Sequence, residues 1–293
     1  MKKAFLYILL AFSLTSCEEV KEILGVSNAD NVAGLKEALS VGATKASKVL
    51  GAEDGYLLSN VKINLPPGTE TALSALESVQ KVSNTISSIP GLGSMLASYI
   101  PNISADFDDV LVKTINRAAE NAAGQEGTVT VFKNVITGMT IGDATDILFS
   151  KGNNFAATQY LESNTSGSLQ TLFSPIIDVA LKTVTISFGS ENYTANSAWS
   201  LFAGQNNKLY DFLQEKDTQT ALTAANIFFS KEVATLKSVQ KVPETLGGYV
   251  TEKALDGLFI RVGEEEVKIR TDIDARISPL LQKVFGQLDE NNN

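Results

Sequence analysis

Leu246-Gly247-Gly248-Tyr249-Val250-Thr251-Glu252-Lys253-Ala254-Leu255-Asp256-Gly257-Leu258-Phe259-Ile260-Arg261-Val262-Gly263-Glu264-Glu265-Glu266-Val267-Lys268-Ile269-Arg270 contains no proline, and its charges thicken toward its end. Ala254, Leu258, Val262 and Ile269 recur at helical spacing, so the stretch reads as one long helix with an apolar stripe. Such a stripe has to be covered by other elements. Glu265 falls inside it at about 100° per residue, and an acid on an apolar face needs a partner. Arg261/Glu265, Glu264/Lys268 and Glu266/Arg270 are all i,i+4 pairs able to meet on a helix surface.

Outward from this stretch the same period recurs. Helices are predicted over 32–50, with Gly51 as the stop, and over 70–89, 104–123 and 128–138. Thr140-Ile141-Gly142-Asp143 has the spacing of a capping box and starts a helix to Leu148. Two further helices fit 156–163 and 166–182, a third fits 220–239, and a short last one fits 275–287. Extended structure is confined to 61–65, which alternates and ends at Pro66-Pro67, and to the β-branched run 183–188. The expected fold is therefore mainly α, a single multi-helix, bundle-like domain with at most one or two short extended segments.

The other end of the chain is an address. Met1-Lys2-Lys3, an uncharged apolar run from Ala4 to Phe12, and Leu14-Thr15-Ser16-Cys17 form a signal peptide with a lipobox. The run is shorter than the roughly 20 residues a permanent span requires. Cys17, the only cysteine in the chain, stands where lipidation needs it. Residues 1–16 are expected to be removed and Cys17 to become the acylated N-terminus, carrying palmitate-type chains. Residues 17–31 then serve as lipidated cysteine and polar tether, 32–287 as the domain, and 288–293 as a disordered tail. The partner this implies is a membrane, reached through the lipid on Cys17, on the periplasmic side or the cell surface. The compact apolar group Met95, Leu96, Tyr99 and Ile100 lacks a basic flank and reads as core.

Composition excludes much. The net charge of −9 makes nucleic acid an unsuitable partner. There is no histidine, and no cysteine after Cys17. Ser-His-Asp and Cys-His catalysis, thiolate or imidazole metal sites and internal disulfides are thereby ruled out within the chain. No cofactor is expected. Ser-x-x-Lys occurs at Ser78/Lys81 and Ser238/Lys241, both inside the pentapeptide Ser-Val-Gln-Lys-Val, without the companion motifs of serine-acylating enzymes. Asp106, Asp108, Asp109 and Glu120 lack calcium-loop spacing.

Several ordered blocks resemble a known family: Gly34-Leu35-Lys36-Glu37-Ala38-Leu39, Lys62-Ile63-Asn64-Leu65-Pro66, Asn116-Arg117-Ala118-Ala119-Glu120, Met139 to Ala144, Ala156 to Tyr160 and Phe173 to Ile176. The strongest lies at the end: Lys253 to Phe259, Glu265-Glu266, Ile269-Arg270, Ala275-Arg276, Leu280-Leu281 and Val284-Phe285-Gly286. These resemble the DUF4197 family of bacterial exported and lipoprotein-type envelope proteins. The resemblance implies an exported helical domain and imports no activity, the family being of unknown function. Residues 189–243 depart from it as an insertion expected to hold a helix, and Ile273 stands where the family usually has proline.

The residues that chemistry could use are Arg117, Asp143, Glu265, Glu266 and Arg270. They read either as a structural ion-pair cluster or as a ligand site; the structural reading is the plainer one. Three functions follow in order of preference: a non-catalytic envelope module binding another protein or the cell wall, a helical carrier of an apolar or lipid-like ligand, and a carboxylate-metal hydrolase. The carrier needs a sizeable apolar cavity, the hydrolase at least three converging acids.

Overall fold

Ser27 and Asp30 open the first helix by exchanging hydrogen bonds: the Asp30 carboxylate accepts from the Ser27 N–H at 2.9 Å, and the Ser27 hydroxyl accepts from the Asp30 N–H at 3.1 Å. This capping box sets the start of α1 (Asn28–Leu50) four residues before the apolar periodicity does, so the last residues assigned to the tether are helical. The computed structural model describes residues 25–86, 106–188 and 191–290. The signal peptide, Cys17, the tether up to residue 24, the Met95–Ile100 group and residues 291–293 lie outside the described residues.

The order continues with α2 (Thr69–Ile86), α3 (Phe107–Ala123), α4 (Glu126–Gly138), α5 (Ile141–Leu148), α6 (Ala156–Thr183), β1 (Thr185–Phe188) and β2 (Glu191–Thr194). Then come α7 (Ala195–Leu213), α8 (Lys216–Ala225), α9 (Ser230–Lys237), α10 (Leu246–Thr271), a 3-10 turn at Ile273–Ala275 and α11 (Pro279–Glu290). The chain is predominantly α, and the one sheet among the described residues is the antiparallel β1–β2 hairpin.

Five expectations are corrected. The helices at 156–163 and 166–182 are one helix, α6; the polar residues between them are accommodated in its turns, Asn164 bonding the Tyr160 carbonyl and Thr165 the Leu161 carbonyl. Residues 189–243 hold three helices and β2 rather than one helix, and the segment 220–239 is broken into α8 and α9 by the turn at 226–229. The last helix begins at Pro279, after the 3-10 turn. It also runs to Glu290, through the first residues assigned to the tail.

The chain gathers into two compact units, neither of them contiguous in sequence. Of the described residues, the first takes 25–45, 132–165 and 261–290; the second takes 46–86, 106–131, 166–188 and 191–260. In the first unit Leu35, Leu39, Phe132, Leu161, Val262 and Phe285 are buried. There α1 crosses α11 so closely that a methyl group on Gly34 would lie 2.6 Å from Val284. The second unit buries Trp199, Phe202 and Phe107, the Phe202 ring lying 5.3 Å from Trp199 and 5.5 Å from Phe107. It also contains a cluster in which α7, α8 and α9 pack on α2 through Val79, Leu209, Leu222, Val233 and Leu236. Among the described residues no helix is long and apolar enough to cross a membrane.

Candidate functional site

α6 starts without a capping side chain of its own, because the residue before it is Phe155, which has no oxygen to offer. The missing acceptor comes from α10. Glu266 takes the Ala157 N–H at 3.0 Å, the Thr158 N–H at 2.7 Å and the Thr158 hydroxyl at 2.8 Å. A carboxylate at this end also meets the positive pole of the helix. One turn along α10, the Arg270 guanidinium donates to Glu266 at 2.8 Å and to the carbonyls of Ile147 and Leu148, at 3.0 and 3.1 Å. Those carbonyls close α5, whose other end is held by the Thr140–Asp143 capping box. A buried i,i+4 pair on one helix thus caps the end of α5 and the start of α6, each charge set against the pole that favours it.

Arg276 extends the arrangement. It donates to the Ile269 and Arg270 carbonyls, closing the C-terminus of α10, and forks onto the Asp289 carboxylate at 2.6 and 2.8 Å. That contact holds the Asp289 carboxyl below the usual range. The buried carboxylate of the acidic triplet is therefore Glu266 and not Glu265. On the last two turns of α10 the buried residues are Val262, Gly263, Glu266, Ile269 and Arg270, an arc centred on Glu266. Glu265 sits at its edge with 13 % of its side chain exposed, bonded to Lys45 of α1 at 2.6 Å and to Lys268 at 2.7 Å. Burial works against its charge, but these two ammonium groups prevail and keep its carboxyl below the usual range. Of the expected i,i+4 pairs, Glu266–Arg270 forms as drawn; Arg261 meets Glu264, and Lys268 meets Glu265, at i,i+3.

Asp143 is spent on its cap: the Thr140 N–H and hydroxyl both donate to it, which lowers its pKa. Arg117 belongs to the second unit, with partners of its own. It donates to Glu120 at 2.6 Å, to Asp54 at 2.6 Å and to Glu53 at 3.3 Å. The buried Glu120 also accepts the N–H groups of Tyr56 and Leu57, which fastens the loop after α1. Asp54 in that loop adopts φ +65°, a conformation aspartate tolerates better than most residues. Burial first, and then the Glu120 charge, push the Tyr56 phenol up, and its hydroxyl donates to the Ala254 carbonyl. Nearby, Asn116 stands in for a neighbouring strand, pairing with both the N–H and the carbonyl of the extended Ile63.

A cavity of about 10 Å³, lined in part by Leu39, Gly42, Val262, Glu266, Arg270 and Phe285, has room for about one water molecule. Among the described residues no three acidic side chains converge to hold a metal ion. Of the Ser-x-x-Lys residues, the Ser78 hydroxyl bonds the Ser74 carbonyl, Ser238 bonds the Thr235 carbonyl, and Lys241 pairs with Asp211; the Lys81 side chain lies outside the described residues.

Lys45 takes part in these networks without having stood out in the sequence, and Arg276, Glu120 and Asn116 stood there only in the family-like blocks, Glu120 also among the acids without calcium-loop spacing. Lys45 meets Glu265, Asn116 meets Ile63 and Glu120 meets Tyr56 from far along the chain, beyond any local spacing.

These features define a helical domain whose buried charges cap helix ends and fasten loops. The chain belongs to the DUF4197 family, described as protein of unknown function, whose model matches residues 25–286. No curated protein and no solved structure matches it.

Proposed function

We propose that this protein is a membrane-anchored bacterial lipoprotein whose helical domain works as a non-catalytic binding or structural module of the cell envelope. The observation that carries the non-catalytic half is where the buried charges go. Glu266, Arg270, Arg276 and Glu120 each end on backbone groups that a helix or loop would otherwise leave unsatisfied. Groups committed in this way have little left to offer a substrate. The water-sized cavity beside Glu266 gives the carrier reading no support, since ligand pockets run to about 300–1,000 Å³.

The anchoring half stands on Leu14-Thr15-Ser16-Cys17 behind a short apolar run. Stable anchoring generally takes more than one acyl chain, which a tri-acylated cysteine supplies. The test is fractionation of Cys17→Ser beside the native protein in cells fed labelled fatty acid. The native chain should carry label and sediment with membranes, while the variant should carry none and leave the membrane fraction or stall as precursor. A fully processed Cys17→Ser chain that stays in the membrane fraction would sink the anchoring half.

A further inference from the structure

The turn between α8 and α9 presents two adjacent large apolar side chains to solvent, Ile227 at 79 % exposure and Phe228 at 82 %. The turn is built, not loose. The Asn226 N–H reaches the Leu222 carbonyl, Phe228 and Phe229 both donate to Ala225, and Phe229 packs back against the apolar cluster of the second unit. We infer that this tip is a membrane-contact element: Ile227 and Phe228 dip into the surface of the bilayer that holds the lipid anchor. The inference rests on the anchoring proposed above and adds the face that the domain turns to the lipid.

Three observations select lipid as the occupant. The first is charge. From Thr218 to Ser230 no residue is charged, in a chain that is 19 % charged overall, so the tip can approach hydrocarbon without dehydrating an ion. The first charge beyond it is the exposed Lys231, a long cation suited to a lipid phosphate, with the half-buried Glu232 behind it. Asp217 lies at the far end of α8, about 15 Å away by helix rise. The second is area. An isoleucine and a phenylalanine, each about four-fifths exposed, offer about 300 Å² between them, against about 800 Å² per partner in a stable protein interface. A bilayer surface requires no matching patch. The third is the tether. The stretch from Cys17 to the first described residue, Gly25, spans about 28 Å at most, so the domain stays near the bilayer while the anchor alone leaves its orientation open. An apolar tip fixes the orientation, and in a chain of net charge −9 it does so without drawing on anionic lipid.

The test uses the full lipidated protein in phosphatidylcholine vesicles. Cys17 has its sulfur in the lipid thioether, so Phe228→Cys supplies the single reactive thiol for an environment-sensitive fluorophore. The substitution removes a side chain that is four-fifths exposed, so the fold should tolerate it. The expected result is emission shifted to shorter wavelength, quenched by nitroxide-bearing lipid, shielded from iodide and unchanged by added salt. A label open to iodide and indifferent to the lipid quencher, on protein with acylated Cys17, overturns the tip and leaves the anchor standing. Shielding from both quenchers marks a protein partner or a second copy and overturns lipid as the occupant. Absence of acyl chains on Cys17 overturns the anchor, and the tip inference with it.

Discussion

Glu265 and Glu266 are neighbours with the same chemistry and different surroundings, and single substitutions should separate them. Glu266 is buried with Arg270, so Glu266→Ala leaves a guanidinium and two helix amides without their partner; breaking a buried pair in this way costs about 3–5 kcal/mol. Glu265 pairs with the exposed Lys45 and Lys268, so Glu265→Ala should cost about 1 kcal/mol or less. Urea melts of the two variants decide the matter, and a larger loss at Glu265 would contradict the placement of the buried charge. Acid should act at the same scale. Asp30 is held at about 2 by the Ser27 N–H and by Lys283, and Asp143, Glu265 and Asp289 also lie below their ordinary values. These carboxyls bind protons more weakly in the folded chain than in the unfolded one. Their stabilisation is therefore complete above the unfolded range near about 4 and is lost as pH falls through the folded values toward about 2. The melting temperature should drop across that window; a flat profile between pH 5 and 2 would contradict these assignments.

At the scale of elements, what was legible in the sequence was what local spacing encodes. Thr140 and Asp143 form the capping box their spacing announces, and α10 occupies 246–271 as its stripe predicts. Thr140→Ala should cost about 1 kcal/mol, read as a fall in thermal midpoint, since α5 has only eight residues to keep in place. An unchanged midpoint would mean that Arg270 at its other end suffices. What was not legible depended on distant partners. α6 looked like two helices because a polar run interrupts its apolar period, and its start shows no capping residue because the cap arrives from α10. The face of α10 that is buried turns along its length, so a single stripe drawn through Ala254 and Ile269 pointed at Glu265 rather than Glu266. Ser-Val-Gln-Lys-Val makes the same point. Its first copy lies in α2 and its second runs out of α9 into irregular chain, yet Val79 and Val239 enter the same core. Tertiary context decides such short segments.

For the whole molecule, the mainly α class followed from the number of amphipathic segments, and the chemistry excluded by the absence of histidine and of a second cysteine followed from composition. The division into two units that share the chain in alternating stretches left no mark in composition, because each unit is assembled from separate stretches of sequence. The central proposal is that one lipid-modified cysteine anchors to a membrane a helical domain whose buried charges are spent on its architecture. The most direct measurement is mass spectrometry of the mature N-terminal peptide from protein extracted with detergent. The account predicts a chain beginning at Cys17 whose mass includes a diacylglycerol and an amide-linked fatty acid. A mature chain beginning elsewhere, or one with an unmodified Cys17 thiol, would contradict it.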